Sequence, residues 1–496
     1  MLLSARDLED GARLSADVCI AGAGAAGITL ARDLIDSGLD VIVLAGGGVQ
    51  PEDADQELYQ GTTSGLQAFT LEEHRLRAFG GSTHLWSGWC RPMGAEDFVA
   101  REYIPGSGWP LDREALDPYY ARAHQTLELG AFDYDAARLA ERSGRPLLPL
   151  AGDAGTEIFQ YSTPTRMHSR YGAELEAAEG VRVYEHGHLA DIVAGVTGVG
   201  ELACATLEGT SFTVEAGRFV LALGGMENAR MLLAADDGRG VANGSGQVGV
   251  GFMEHPHYYR STAILLAEAA DVDFYSRFEV DTRVADDDPE ASVRVMGVLA
   301  LSAAAREREG LPAFLGQLVA ADLEEDAERT GELGPLGVAE LLPGREARGM
   351  LLMTCRVEQT RHPDSRLTLI DQRDALGVPR LNLNWAIDAR DDRALTRSLT
   401  LLGAEVARAG LGRLWLPERS GAFRGTPRGG CHHIGTTRMG SDPDRGVVDG
   451  DCRSFELDNL YVAGSSLFPT SGAANPTLTI VALAHRLADH LKESAP

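Results

Sequence analysis

Asp17-Val18-Cys19-Ile20-Ala21-Gly22-Ala23-Gly24-Ala25-Ala26-Gly27 opens with a short apolar run and closes on glycines spaced G-x-G-x-x-G. Helical spacing follows over residues 28–37, with Gly38 placed as a C-cap. Val41-Ile42-Val43-Leu44 then reads as a second buried strand. Strand, glycine turn, helix, strand is a β-α-β unit, and such a crossover favours a parallel sheet. Gly22, Gly24 and Gly27 suit a tight turn that lets a pyrophosphate approach the helix N-terminus, where amide N–H groups lack intrahelical acceptors. The pattern stands between a strand and a helix, which makes it a dinucleotide loop rather than a plain glycine turn. One element is absent. The residue ending the second strand is usually acidic and binds ribose hydroxyls; here it is Ala45, followed by Gly46-Gly47-Gly48. The ribose contact then falls to another group, such as Gln50 or the backbone, and a nicotinamide nucleotide fits less well.

Two further strand-turn units lie far along the chain. Phe219-Val220-Leu221-Ala222-Leu223 runs into Gly224-Gly225 ahead of a helix-like stretch at 227–235, and Leu460-Tyr461-Val462-Ala463 ends in Gly464. A last helix is expected over residues 477–491, its apolar face made by Ile480, Leu483, Ala484, Leu487 and Leu491, with Thr477 placed to cap it. The middle of the chain differs. Residues 350–358 and 365–370 have strand character, and Leu381-Asn382-Leu383-Asn384-Trp385 alternates as a half-exposed antiparallel strand does. Residues 303–349 are charged and helix-prone with glycine and proline breaks, which suits an insertion, a lid or an oligomer contact.

The 496 residues, 44% of them apolar, exceed one ordinary core and predict two domains built from interleaved segments. No uninterrupted apolar stretch reaches the roughly 18 residues of a membrane helix. Residues 1–16 carry acidic groups and no apolar signal core, so a cytoplasmic protein is expected. With 45 basic against 73 acidic residues the net charge is −28, which argues against nucleic acid and anionic membranes as partners. That charge suits either a cationic substrate or a merely solvated acidic surface. Cys19, Cys90, Cys204, Cys355, Cys431 and Cys452 form no CxxC pair and no zinc spacing; free thiols and no metal site are expected.

Phe79-Gly80-Gly81-Ser82-Thr83-His84-Leu85-Trp86-Ser87-Gly88-Trp89 is a glycine-flanked loop whose small residues let backbone amides approach a planar ring, with Trp86 or Trp89 as a wall; the plainer alternative is a packed turn. Near the C-terminus, Cys431-His432-His433-Ile434-Gly435 carries two histidines that point in different directions on most backbones, so at most one serves as a base. An imidazole titrates near neutrality and suits proton abstraction. Asn475, in Ser471-Gly472-Ala473-Ala474-Asn475-Pro476-Thr477, can donate to an oxygen that becomes alkoxide-like, or else cap the final helix.

Together these segments resemble the glucose-methanol-choline (GMC) family of FAD-dependent alcohol oxidoreductases, of the bacterial sugar- and aminoglycoside-oxidising kind. The resemblance rests on the Gly22-Gly24-Gly27 loop, Gly80-Gly81-Ser82-Thr83, Gly224-Gly225-Met226-Glu227-Asn228-Ala229-Arg230, Gly446-Val447-Val448-Asp449, Asn459 to Ser465, and His432 to Pro476. It implies an α/β, Rossmann-like FAD-binding domain (1–105, 180–255 and 425–496) and an α+β substrate domain with an antiparallel sheet (106–179 and 256–424). It implies that His432 is the base, that Asn475 is its partner, and that hydride passes to flavin N5, with oxygen or another acceptor regenerating the cofactor. Leu189, after the strand Val181 to Glu185, would offer its backbone to adenine. Leu85, Trp86, Gly224, Gly464, Ser465, Pro476 and Thr477 would join the FAD contacts. Some members tether FAD through a histidine four residues after the paired glycines; that position is Leu85 here, with His84 one residue earlier, so non-covalent FAD is expected. The substrate expectation is a polar alcohol, an aminosugar or aminoglycoside ahead of a neutral sugar or glycoside. The rivals are a nicotinamide-dependent dehydrogenase and a flavin-binding partner subunit without catalysis.

Overall fold

A computed structural model describes residues 1–281, 292–321, 342–343, 347–416 and 427–493. The opening β-α-β unit is present with shifted bounds. Its first strand spans Ala12–Ala21; the outer half alternates in burial and only Val18–Ala21 is wholly enclosed, so the apolar signal marked just the inner half. The helix is Ala25–Asp33, not 28–37. Asp36 takes a left-handed backbone (φ 60), and the Ser37 hydroxyl donates to the Leu34 carbonyl (2.6 Å), so the chain turns early. Gly38 (φ 79) therefore leads into the next strand, Val41–Ala45, rather than capping the helix.

Parallel pairing orders Leu2–Ser4, Val181–Glu185, Val41–Ala45, Ala12–Ala21 and Ser211–Leu221, and Leu460–Val462 also joins the last of these. Val199–Ala205 and His188–Ala194 extend this sheet antiparallel. A second, antiparallel sheet runs Gly412–Trp415, His257–Leu266, Gly349–Val357, Phe314–Ala321, Ser292–Leu301, Ala154–Tyr161 and Trp89–Cys90, with Phe278–Asp281 on Ser292–Leu301. This is the expected pairing of a Rossmann-like α/β part with a part built on an antiparallel sheet. The alternating segment falls in Pro379–Trp385, which pairs antiparallel with Arg366–Arg373 and parallel with Thr62–Gly65; Leu381, Leu383 and Trp385 point into the core.

The first sheet's core takes in the helices Asp117–Thr126 and Met167–Ala177, which the sequence division had grouped with the substrate segments. Tyr120 hydrogen-bonds Thr479 (2.9 Å), and Thr126 meets His485 (3.0 Å), fixing the first of these helices against the final one. The final helix spans Thr477–Glu493. Pro476 supplies the carbonyl that accepts from Ile480 N–H (2.8 Å), so Thr477 is the first helical residue and not the cap. Of the 303–349 segment, Ala303–Glu309 is helical and Phe314–Ala321 is a strand; residues 322–341 and 344–346 lie outside the described residues. No disulfide joins the six cysteines, and all but Cys431 are buried. Among the described residues no helix is long and apolar enough to cross a membrane.

Candidate active site

The glycine loop, the segment around residues 73–89, the turn after Ser211–Leu221 and the start of the final helix line a cavity of about 470 Å³. Gly22 and Gly24 line it together with Ala25 and Ala26 at the helix N-terminus. Gly24 precedes that helix without a side-chain cap, so the first amides face the cavity unclaimed by a cap. Gly22 (φ 110) cannot be replaced cheaply: a Cβ there would stand 2.4 Å from the Ala222 carbonyl oxygen. Gly27 is not on the cavity; it packs against the Gly22 carbonyl and closes helix onto turn.

Gly81, Ser82, Thr83, Leu85 and Trp86 line the cavity, whereas Gly80 lies off it beneath the His84 ring. His84 is held by the Phe79 carbonyl (2.8 Å), and the Trp86 indole N–H donates to the Thr165 carbonyl (2.9 Å). Leu189, Gly224, Gly464 and Ser465 line the cavity too, as do Asn475, Pro476 and Thr477. Ser465 donates its hydroxyl to the His433 carbonyl (2.6 Å), which ties two loops of the lining together. At Gly46 the wall is Arg77, whose Nε donates to the Gly46 carbonyl (3.2 Å); Gln50 does not line the cavity. Nearby, Glu52, Asp55 and His186 bring ligand-type atoms within 4.8 Å of one another, but Arg6 grips Glu52 bidentately (3.1 and 2.9 Å) and His188 faces Asp55 at 3.1 Å.

His432 and Asn475 meet: Asn475 Nδ2 lies 3.2 Å from His432 Nε2. Behind them is a residue not singled out from the sequence, His255. Its Nε2 lies 3.0 Å from the Ser471 carbonyl oxygen, and its Nδ1 lies 2.8 Å from His432 Nδ1. A carbonyl only accepts, so His255 Nε2 carries hydrogen. Burial pushes His255 down to about 4, so it is neutral near pH 7 and its Nδ1 accepts. His432 Nδ1 therefore donates. Burial, followed by the fields of His255, His257 and Arg356, holds His432 well below the usual imidazole value. His432 is thus neutral with its Nε2 lone pair turned to the Asn475 amide that faces it, the form a base needs. Glu254 fixes the backbone around this pair, accepting from the N–H groups of Gly430 (2.6 Å), His255 (2.9 Å) and His432. Burial pushes its carboxyl up to about 7 against those three bonds. His433 turns elsewhere, its ring centroid 5.7 Å from Phe69 and 6.3 Å from His74. A polar run, Glu254-His255-Pro256-His257, entering a strand was the available sequence signal for this group.

The same lining includes His257, Tyr259, Trp89 and Arg356, none of which is adjacent in sequence to His432. His257 and Arg356 are direct cross-strand partners and so share a sheet face. The Arg356 guanidinium lies 3.9 Å over the Trp89 ring.

The lining fits a flavin dinucleotide. A Cβ at Gly224 would meet nothing within 4 Å, an open cradle for a backbone-bound group. Asn475 Oδ1 and His433 Nε2 are buried without hydrogen-bond partners, which suits a ring with polar edges. The family described as GMC oxidoreductase matches residues 362–484. Paromamine 6'-oxidase of Streptomyces fradiae is similar at 26% identity, over 95% of this chain and 90% of that one. The fructose dehydrogenase large subunit of Gluconobacter japonicus is 25% identical over 96% and 97% of the two chains. Among solved structures, pyridoxine 4-oxidase from Mesorbium loti shares the fold, with a TM-score of 0.57, 18% identity and coverage of 97% of this chain and 100% of that one. Residues 362–484 thus carry the GMC oxidoreductase C-terminal domain, and nearly the whole chain is similar to enzymes named as an oxidase and a dehydrogenase of sugar-type alcohols.

Proposed function

We propose that the protein oxidises a hydroxyl of a sugar-type alcohol to the carbonyl. His432 Nε2 takes the hydroxyl proton, and the Asn475 amide donates to the oxygen as negative charge grows on it. His255 keeps the His432 proton on Nδ1 by accepting a hydrogen bond from it, and Glu254 anchors the backbone of both histidines. Gly22, Gly24, Gly81 and Gly224 would hold FAD without a covalent tether, and bound there it would supply the acceptor for the carbinol hydride, with oxygen or another acceptor regenerating it. Non-covalent binding is supported by Leu85 at the tether position and by His84 standing off the cavity. The cofactor part is assigned to 1–105, 180–255 and 425–496, joined by the two helices within 106–179 that share its core; residues 256–424 shape the substrate side.

The observation that carries this reading is the 3.2 Å approach of Asn475 Nδ2 to His432 Nε2 inside the cavity. For the His432→Ala variant the expected result is a yellow protein whose anaerobic bleaching by substrate slows on the order of 10²–10⁴-fold, the usual contribution of a positioned base. Bleaching at the wild-type rate sinks the assignment.

The substrate class divides two ways. An aminosugar is supported by the net charge of −28 and by the likeness to paromamine 6'-oxidase. A sugar lacking a cation near the reacting carbon is favoured by Arg356, whose positive charge stands beside His432 and repels an ammonium group. Local charge weighs more, because charges on the outer surface are screened beyond about 8 Å at physiological salt.

A further inference from the structure

Most arginines buried in this protein have an anion. Arg101 grips Glu358 with contacts of 3.0 and 2.6 Å, Arg75 meets Glu227 at 2.8 Å, and Arg230 pairs with Asp374 at 2.6 Å. Arg438 instead donates to carbonyls, among them Val250 (2.7 Å). Arg356 has neither. Its guanidinium is stacked on Trp89, its Nε is buried without a hydrogen-bond partner, and among the described residues no carboxylate pairs with it. The two nearest basic neighbours on its lining do not relieve this. His257 carries no charge at neutrality, since burial holds it well below the usual imidazole value, and His432 is neutral for the same reason. Arg356 stays charged at pH 7, burial lowering it only to about 10. Arg356 is half-buried with its Nε enclosed; a cation partly taken from water and left unpaired is costly, and the cost falls when a ligand brings the missing acceptor.

We propose that Arg356 is the anion site of the substrate cleft, so that the alcohol oxidised is a sugar acid whose carboxylate sits on the Arg356 fork while a ring hydroxyl meets His432. The Trp89 ring supports the guanidinium at 3.9 Å, and Arg356 lines the cavity. A planar carboxylate matches a guanidinium edge bidentately. A second guanidinium, Arg277, lies 5.3 Å over the same Trp89 ring but off the cavity lining, so of the two Arg356 alone presents its charge to the cleft and matches one negative charge. The reaction is the one proposed above: the hydroxyl loses its proton to His432 and its carbon loses a hydride to FAD, while the carboxylate is unchanged. This inference rests on that oxidation reading.

The experiment compares methyl β-glucuronoside, methyl β-glucoside and methyl β-glucosaminide as anaerobic reductants of the bound flavin, in the wild-type holoprotein and in Arg356→Gln. The glucuronoside should exceed the glucoside in reduction rate over half-saturating concentration by about tenfold or more, the scale of a charge-assisted hydrogen bond. The glucosaminide should be poorest. In Arg356→Gln the glucuronoside-to-glucoside ratio should collapse towards one, through weaker saturation rather than a slower limiting rate. A wild type that favours the glucoside or glucosaminide overturns the proposal, as does a ratio that survives in Arg356→Gln. Should no sugar bleach the flavin, the oxidation reading is the one that fails. Glucuronate binding, read from perturbation of the flavin spectrum, then still decides this proposal. It should weaken about tenfold in Arg356→Gln and persist in His432→Ala, and equal binding in wild type and Arg356→Gln refutes it.

Discussion

The glycine loop around Gly22 and the histidine group around His432 line one cavity but are held in shape by different forces. On the loop side the backbone itself is the instrument: a glycine at φ 110 crossing close to the Ala222 carbonyl, and helix amides left uncapped. On the histidine side the backbone only presents side chains. Their protonation is set by neighbours distant in sequence, with His255 and His432 separated by 177 positions and Asn475 by a further 43. Changes on the first side act by denying the cofactor a place. Changes on the second leave the cofactor in place and alter chemistry.

That contrast breaks most sharply at Gly22→Val. A Cβ would collide with the Ala222 carbonyl at 2.4 Å, and the left-handed backbone costs a further ~1–3 kcal/mol for a residue with a side chain. The purified variant should be colourless, with flavin per chain reduced at least about tenfold; full flavin content would show that the loop does not form the nucleotide site. Asn475→Ala tests the opposite side. Flavin should stay bound while substrate-driven bleaching slows on the order of 10²–10³-fold, as when one oxyanion donor is lost. Loss of flavin in Asn475→Ala would erase the distinction between the two sides. A smaller effect is expected from His255→Leu, which removes the acceptor for His432 Nδ1–H and lets the proton move to Nε2. Reduction should slow on the order of 10–100-fold, the usual penalty when the outer partner that orients a histidine is removed. An unchanged rate would mean that the tautomer of His432 is fixed some other way.

What the sequence disclosed follows the same line. The β-α-β unit was legible because its signal is local: an apolar run, spaced glycines, then a second run over 29 residues from Asp17 to Ala45. Its bounds were less so. Residues 12–17 alternate and look like a loop until they pair with Ser211–Leu221, and Ser37 ends the helix through its own hydroxyl. The meeting of His432 and Asn475 was legible only through likeness to known enzymes, since no spacing rule brings a loop and a helix start together. Arg77 at Gly46 and Arg356 on Trp89 were not legible at all, and His255 behind His432 showed only as a member of the polar run Glu254-His255-Pro256-His257. Each is placed by strand pairing or loop packing across the fold, and a lone arginine or histidine in a sequence is indistinguishable from a surface one.

The mildest test of the contrast is pH, because its effect is silent at neutrality. His255 titrates at about 4 in the folded protein against an ordinary 6.5, and His432 also lies well below its ordinary value. In both cases the folded state prefers the neutral ring, so the unfolded chain binds more protons between those values. Stability is therefore fully present above pH 6.5 and is lost as pH falls through 6.5 towards 4; for His255 alone the loss reaches about 3 kcal/mol, at ~1.4 kcal/mol per unit. The rate has the same sign, since a neutral His432 is the base, and the acid limb of substrate-driven bleaching should lie well below 6.5. The glycine loop contains no titrating group, so flavin affinity should hold across pH 8 to 6 while the histidine side begins to yield only on further acidification. Glu254, pushed up to about 7 by burial, gains stability as pH falls over the same range, so the rate rather than the melting temperature isolates the imidazoles: an acid limb at or above 6.5 would mean that they are not buried in the neutral state on which the base assignment depends.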